Sequence, residues 1–224
     1  MKGDKKTKNQ LLDELERGIM RSDALYQVSN RLAGAHDTDE VLDLIVNEAV
    51  RLLSAKAAWT RLLRNAVLVL GAATESAVAY VGEVAESTPT FVVEEGRSNA
   101  GHVMATKQPF VMEDVVTEGF TSEAERRRNQ EYGFHGSVIV PLLANDRSIS
   151  VLIVTDGQVR RFTDNEVSVL TSFVDQAALA LQKARFLQEA KTRKRQQPSR
   201  SVTREGQPES GQPPGSGLGW SQPP

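Results

Sequence analysis

The chain has 224 residues, room for one domain of ordinary size with flanking segments. Hydrophobic residues make up 39% and charged residues 25%, and a formal net charge of -2 excludes the overall basic field that drives nonspecific nucleic-acid binding. Cysteine is absent, which excludes disulfides, thiolate nucleophiles, cysteine metal sites and thioether-linked chromophores.

Met1 to Asn9 is polar and lysine-rich with no apolar stretch behind it, so it is not a secretory signal, and residues 1–10 read as a flexible N-terminus. No run approaches the roughly 18 apolar residues of a membrane-spanning helix, and a cytoplasmic location is expected. From residue 11 to 33, Leu11, Leu15, Ile19, Leu25, Val28 and Leu32 recur at helical spacing and predict a long amphipathic helix. Gly18 and Ser22 interrupt its stripe, so this helix either pairs weakly with a second copy or packs only on its own domain.

Asp37 with Glu40 three residues on predicts a capped helix carrying Val41, Leu44, Ile45, Ala49, Leu52 and Leu53 to about Ser54. Residues 57–63 and 67–73, broken at Arg64 and Asn65, read as a hairpin, and 77–89 as a short helix. A strand at 90–93, a short helix ending near Lys107 and a strand at 110–112 follow. Ser122 and Glu125 cap a charged helix that Gly133 stops near Tyr132. Residues 137–143 and 148–155 pair through the turn residues Asn145 and Asp146. Thr163 and Glu166 open a closing helix with Val167, Leu170, Val174, Ala177, Leu181 and Ala184 on one face, extending toward Arg195. Beyond Gln196 the composition is Pro, Gly, Ser and Gln, so 189–224 reads as a basic and then disordered tail. The order predicts an α+β fold with a mainly antiparallel sheet and helices on its faces.

Several segments resemble the GAF family of small-molecule sensor domains, in that family's order. Thr38 to Arg61 (TDEVLDLIVNEAVRLLSAKAAWTR) is similar to its second helix and first strand, and GRSNAGHV (96–103) to its GxGLxGxV loop. ATKQPFVMEDV (105–115) resembles TGxPxxxxDV, while GSVIVPLL, SISVLIVTD and RFTDNEVSVLTSFVDQAALAL match the closing strands and helix. The resemblance implies a GAF domain over 34–188: an antiparallel sheet of about six strands, helices on both faces, long N- and C-terminal helices, and a cavity under the loops. Two departures stand out. Ser98 and Asn99 replace the loop's usual glycine and leucine, which points either to a polar ligand or to an asparagine turned outward over an empty site. Ser150 replaces a common glycine and reads as a packing change.

By family position the resemblance places Trp59, Arg61, Asn99, Phe110, Asp114, Phe120, Phe134, Ser137 and Ile139 around a ligand of unknown identity. For Trp59 and Ile139 ordinary core packing competes with that role. His135 lies where haem-binding relatives place an axial ligand, a lesser alternative. His36 and His102 read as surface or capping side chains. No phosphoacceptor histidine motif, cysteine-based reductase chemistry, thiol for bilin attachment or cyclic-nucleotide signature is present, so no enzyme activity, metal site or covalently bound cofactor is expected. Glu113 and Asp114, adjacent on a strand, would face opposite ways and cannot act as paired acid and base. Arg126, Arg127 and Arg128 read as a solvated helix face or an anion contact at the cavity rim. The expected function is a small-molecule-binding regulatory module, dimeric through its terminal helices, similar to the input half of bacterial sensor histidine kinases but without their output domain. A dimerisation scaffold with a vestigial cavity is the alternative.

Overall fold

The computed structural model describes residues 27, 28, 30–35, 37–87 and 91–196. Most of the predicted N-terminal helix, His36 and the tail beyond Gln196 lie outside the described residues. Residues 30–34 are helical. Then come α1 (Thr38–Leu53), β1 (Ala57–Arg64), β2 (Val67–Ala73), α2 (Val78–Ser87), β3 (Phe91–Val92), α3 (Asn99–Thr106), β4 (Phe110–Met112), α4 (Glu123–Tyr132), β5 (Ser137–Ala144), β6 (Arg147–Thr155) and α5 (Asp164–Gln196). The basic stretch 189–196, assigned from sequence to the tail, is therefore helical and continues α5.

The strands form a six-stranded antiparallel sheet in the order β3-β2-β1-β6-β5-β4. Alternation along the central strands sends side chains to two separate cores. Ala58, Leu62, Val138, Val140, Leu142, Leu152 and Val154 face α1 and α5, where Val41, Ile45, Ala49, Leu170, Phe173, Val174, Ala177 and Leu181 meet them. Ala57, Trp59, Ile139, Val151 and Ile153 face the other way, under α2, α3 and β4, with Tyr80, Val84, Val103, Met112 and Phe134. Covering both faces is why β1, β5 and β6 read as near-continuous apolar runs.

Local chemistry sets the ends of these elements. Asp37 caps α1 by accepting from the Asp39 N–H at 3.3 Å. Ser122 and Glu125 form a reciprocal capping box on α4, and Gly133 ends that helix at φ 60. Thr163 and Glu166 do the same at the start of α5, with 2.8 and 3.3 Å backbone contacts. Both hairpins turn on two residues of positive φ, Asn65 (49) with Ala66 (65) and Asn145 (50) with Asp146 (58), whose twist suits paired strands. In the first hairpin the β1–β2 register slips between Trp59 and Arg61. The buried Thr60 hydroxyl stitches that irregularity by accepting from the Ala72 N–H at 2.9 Å. Ser150 is more than a packing change: its buried Oγ donates to the Arg61 carbonyl at 2.9 Å, tying β6 to β1.

On the helix-covered face, the buried Glu48 carboxylate binds both Arg31 and Arg51, the latter at 2.7 Å. Lys183 of α5 donates to the Ala33 carbonyl at 3.0 Å, and Thr38 donates to Gln188 at 2.8 Å. The helical segment 30–34, α1 and α5 are thus joined by charge and hydrogen bonds as well as by apolar contact.

Ala66 holds a left-handed conformation that costs an L-residue with a Cβ but not glycine. Ala66→Gly is expected to stabilise the fold by roughly 0.5–1 kcal/mol, read as a higher denaturation midpoint at unchanged m-value.

Candidate functional site

Between the sheet and α2, α3 and α4 lies a cavity of about 70 Å³. A water-sized guest claims roughly 10–15 Å³ of such space, so the cavity suits a compact molecule. Three strands supply its floor: Trp59 and Arg61 from β1, Ser137 and Ile139 from β5, Ile153 and Thr155 from β6. Tyr80 and Val84 of α2, Ser98 to Ala100 at the start of α3, Met112, Val115, and Glu125 with Asn129 of α4 complete it.

Arg61 dominates its electrostatics. The side chain is 5% exposed, and burial lowers its pKa from 12.5 to about 10, against the attraction of Tyr80 and Glu125. It still carries its charge at neutral pH. Because the folded-state pKa is depressed, stability is present above the ordinary value and is lost as pH falls through about 10; at neutral pH the fold bears the full desolvation cost. The Tyr80 phenol is pushed above its usual range, first by burial and then by Glu125, so it remains a neutral donor.

The helix α4 carries two polar side chains to the cavity at i, i+4 spacing. Glu125 is fixed by its capping role, with Oε2 accepting from the Ser122 N–H at 2.9 Å and from its hydroxyl at 2.8 Å. Asn129 is 6% exposed, and among the described residues neither its carboxamide nor the Tyr80 hydroxyl makes a hydrogen bond. Ser137 and Thr155 are spent on the backbone, donating to the Val154 and Gly136 carbonyls at 3.1 Å each. Behind the cavity wall Trp59, Tyr80 and Phe134 pack as a ring cluster with centroids 5.0–5.9 Å apart.

Of the nine residues singled out from sequence, Trp59, Arg61, Asn99, Ser137 and Ile139 line the cavity. Phe134 is buried behind Trp59. Phe110 and Phe120 pack at a tilt against His102, with ring centroids at 5.2 and 4.9 Å, and are not among the lining residues. Asp114 anchors a turn, accepting from the Val116 N–H at 3.1 Å, and bonds His135 Nδ1 at 3.1 Å. It and Glu113 sit in the loop after β4 and not on a strand. His135 is not among the lining residues, and about 70 Å³ is far too little for a porphyrin, so the haem alternative does not fit. His102 is no surface residue, since its Nδ1 is buried without a hydrogen-bond partner among the described residues. The arginine run divides, with Arg127 exposed and the other two partly buried. Arg128 reaches α2 through Glu83 (3.5 Å) and Ser87 (3.1 Å), and Arg126 Nε is buried.

Asn99 fits neither of the two readings offered for it. It lines the cavity, yet its carboxamide clasps the loop after β4: Oδ1 accepts from the Phe120 N–H at 2.6 Å and Nδ2 donates to Thr121 at 3.1 Å. The neighbouring Gly119 has φ +81, and a Cβ there would come within 2.6 Å of Asn99 Oδ1. Asn99 thus holds shut one side of the cavity. Tyr80, Glu125 and Asn129 were not anticipated as site residues. Glu125 had a complete local explanation as a cap, and Asn129 gave no signal in a charged helix.

A sheet with paired helices on one face and a small cavity under short helices and loops on the other is the architecture of a sensory domain. The family model described as GAF domain matches residues 35–182, and the chain belongs to that family, whose members are sensory and regulatory modules of signalling proteins and generally not catalysts. Among solved structures, the fold is similar to the GAF domain of a phosphoenolpyruvate-protein phosphotransferase from Coxiella burnetii, with 17% identity, TM-score 0.63, and coverage of 75% of this chain and 96% of that one. It is also similar to free methionine-R-sulfoxide reductase from Neisseria meningitidis in complex with its substrate, at 15% identity, TM-score 0.61 and coverage of 76% and 93%. A domain of a putative two-component sensor histidine kinase protein from Sinorhizobium meliloti 1021 matches at 19% identity and TM-score 0.55, over 73% of this chain and all (100%) of that one. No curated protein matches the chain.

Asn99→Ala removes the clasp and is expected to cost about 1–2 kcal/mol, with faster hydrogen exchange at the Phe120 amide.

Proposed function

We propose that this chain is a small-molecule-binding regulatory module of a cytoplasmic signalling protein, in which occupancy of the cavity is passed to the helices on the opposite face of the sheet. The observation that carries the reading is the buried guanidinium of Arg61 in the cavity wall. A guanidinium held in the wall of a cavity by a central strand offers a charge-assisted, bidentate hydrogen-bonding partner to a polar or anionic group of a ligand. The same strands serve both faces. Arg61 alternates with Thr60 and Leu62, and Leu62 belongs to the core beneath α1 and α5. A ligand that displaces β1 therefore displaces the floor under the helix pair.

Dimerisation through the terminal helices is part of this reading. Leu179 and Phe186 of α5 are 66% and 65% exposed, far more than large apolar side chains in a buried stripe. Leu179 sits with Leu32, Ala33 and Ala180 in a shallow groove between α5 and the segment before α1. That surface also supports the scaffold alternative, in which the helices act without a ligand.

Thermal denaturation of the full chain against a broad metabolite panel separates the two. A specific ligand at 100 times its Kd is expected to add about 2.7 kcal/mol, with a change in the dimerisation constant by analytical ultracentrifugation. Silence across the panel, together with a stable dimer that Leu179→Glu disrupts, would leave the scaffold.

A further inference from the structure

The polar groups at the cavity carry both signs of charge, and this restricts the ligand. Arg61 contributes a cation, and Glu125 an anion close enough for each to influence the other's surroundings. A simple anion placed here meets Arg61 but is repelled by Glu125. A simple amine meets the reverse. A guest with a carboxylate and an ammonium on one small frame satisfies both and adds no net charge. We propose, building on the regulatory reading above, that the cavity binds a compact free α-amino acid, its carboxylate held by Arg61 and Asn129 and its ammonium by Glu125.

Three further observations fit this assignment. Asn129 is 6% exposed and lines the cavity, yet its carboxamide makes no hydrogen bond among the described residues. Its amide offers a guest both a donor and an acceptor. Glu125 spends Oε2 on the helix cap, whereas Oε1 makes no hydrogen bond among the described residues and can accept from an ammonium. The volume of about 70 Å³ admits on the order of five water-sized groups, the scale of glycine, alanine or serine and below that of a nucleotide. Ile139, Ile153 and Val84 form an apolar patch for a short side chain.

The test is isothermal titration calorimetry of the full chain with glycine, L-alanine and L-serine, each paired with its single-charge analogues: acetate, propionate and ethylamine. The free amino acids are expected to bind, with the carboxylates and the amine at least tenfold weaker. The variant Glu125→Gln keeps the cap, since glutamine serves at that position, but removes the negative charge. It is expected to fold with an unchanged circular dichroism spectrum, to bind the amino acids at least tenfold more weakly, and to bind propionate as well as or better than the parent chain. Equal affinity of the parent for propionate and alanine, or an unaltered alanine affinity in Glu125→Gln, would overturn the proposal. Failure of all amino acids while another class of molecule from the broad panel binds would also overturn it and leave the sensory reading standing. Failure of both sets removes both.

Discussion

Over most of their length the central strands β1, β6 and β5 have no face open to water. Alternation sends neighbouring side chains in opposite directions and each side is covered, so the apolar residues along them join one of two cores. The rest of the fold follows from this constraint. The helices α1 and α5 must present wide apolar faces to one side, and Ile45, Phe173, Val174 and Leu181 supply them. On the other side the cover is assembled from three short helices and a loop, which close over the sheet less completely. The cavity occupies the space they leave.

Residues that would normally be excluded from such a setting are concentrated there. Arg61, Asn129, Ser137 and Thr155 are all buried and all line the cavity. Ser137 and Thr155 return their hydroxyls to the backbone, whereas Arg61 keeps a charge whose desolvation shows in its depressed pKa. On the opposite face of the sheet the equally buried Glu48 is matched by Arg31 and Arg51 and pins the N-terminal segment to α1.

In the regulatory reading proposed above, sensing and transmission share one element. Between Trp59 and Leu62, β1 presents Trp59 and Arg61 to the cavity and Thr60 and Leu62 away from it. Ser150 and Thr60 hold this stretch with side-chain hydrogen bonds to and from the backbones of β1 and β2. Such ties restrain the strand, and on the proposed reading a displacement at the cavity passes through the sheet to α1 and α5.

Much of the fold was legible in the chain because its signals are local. Capping boxes at Ser122 and Thr163, paired turn residues at Asn145 and Asp146, the stop at Gly133 and the apolar spacing of α5 each depend on residues a few positions apart. The two hairpin pairings could be read from the same local patterns, whereas Trp59, Arg61, Asn99, Ser137 and Ile139 came from their positions in the family resemblance. The cavity itself was not legible in that way, because it is made by elements distant in sequence and by side chains with two roles. Asn99 became a clasp only where the loop of Phe120 and Thr121 passes it, 21 and 22 residues on. Glu125 and Asn129, polar residues in a helix without an apolar stripe, acquired a direction only when Arg128 and the cap docked α4 beside α2. Periodicity and capping determined the elements by themselves, since those energies are local. Tertiary packing alone decided which polar groups lost their water, because that depends on elements distant in sequence.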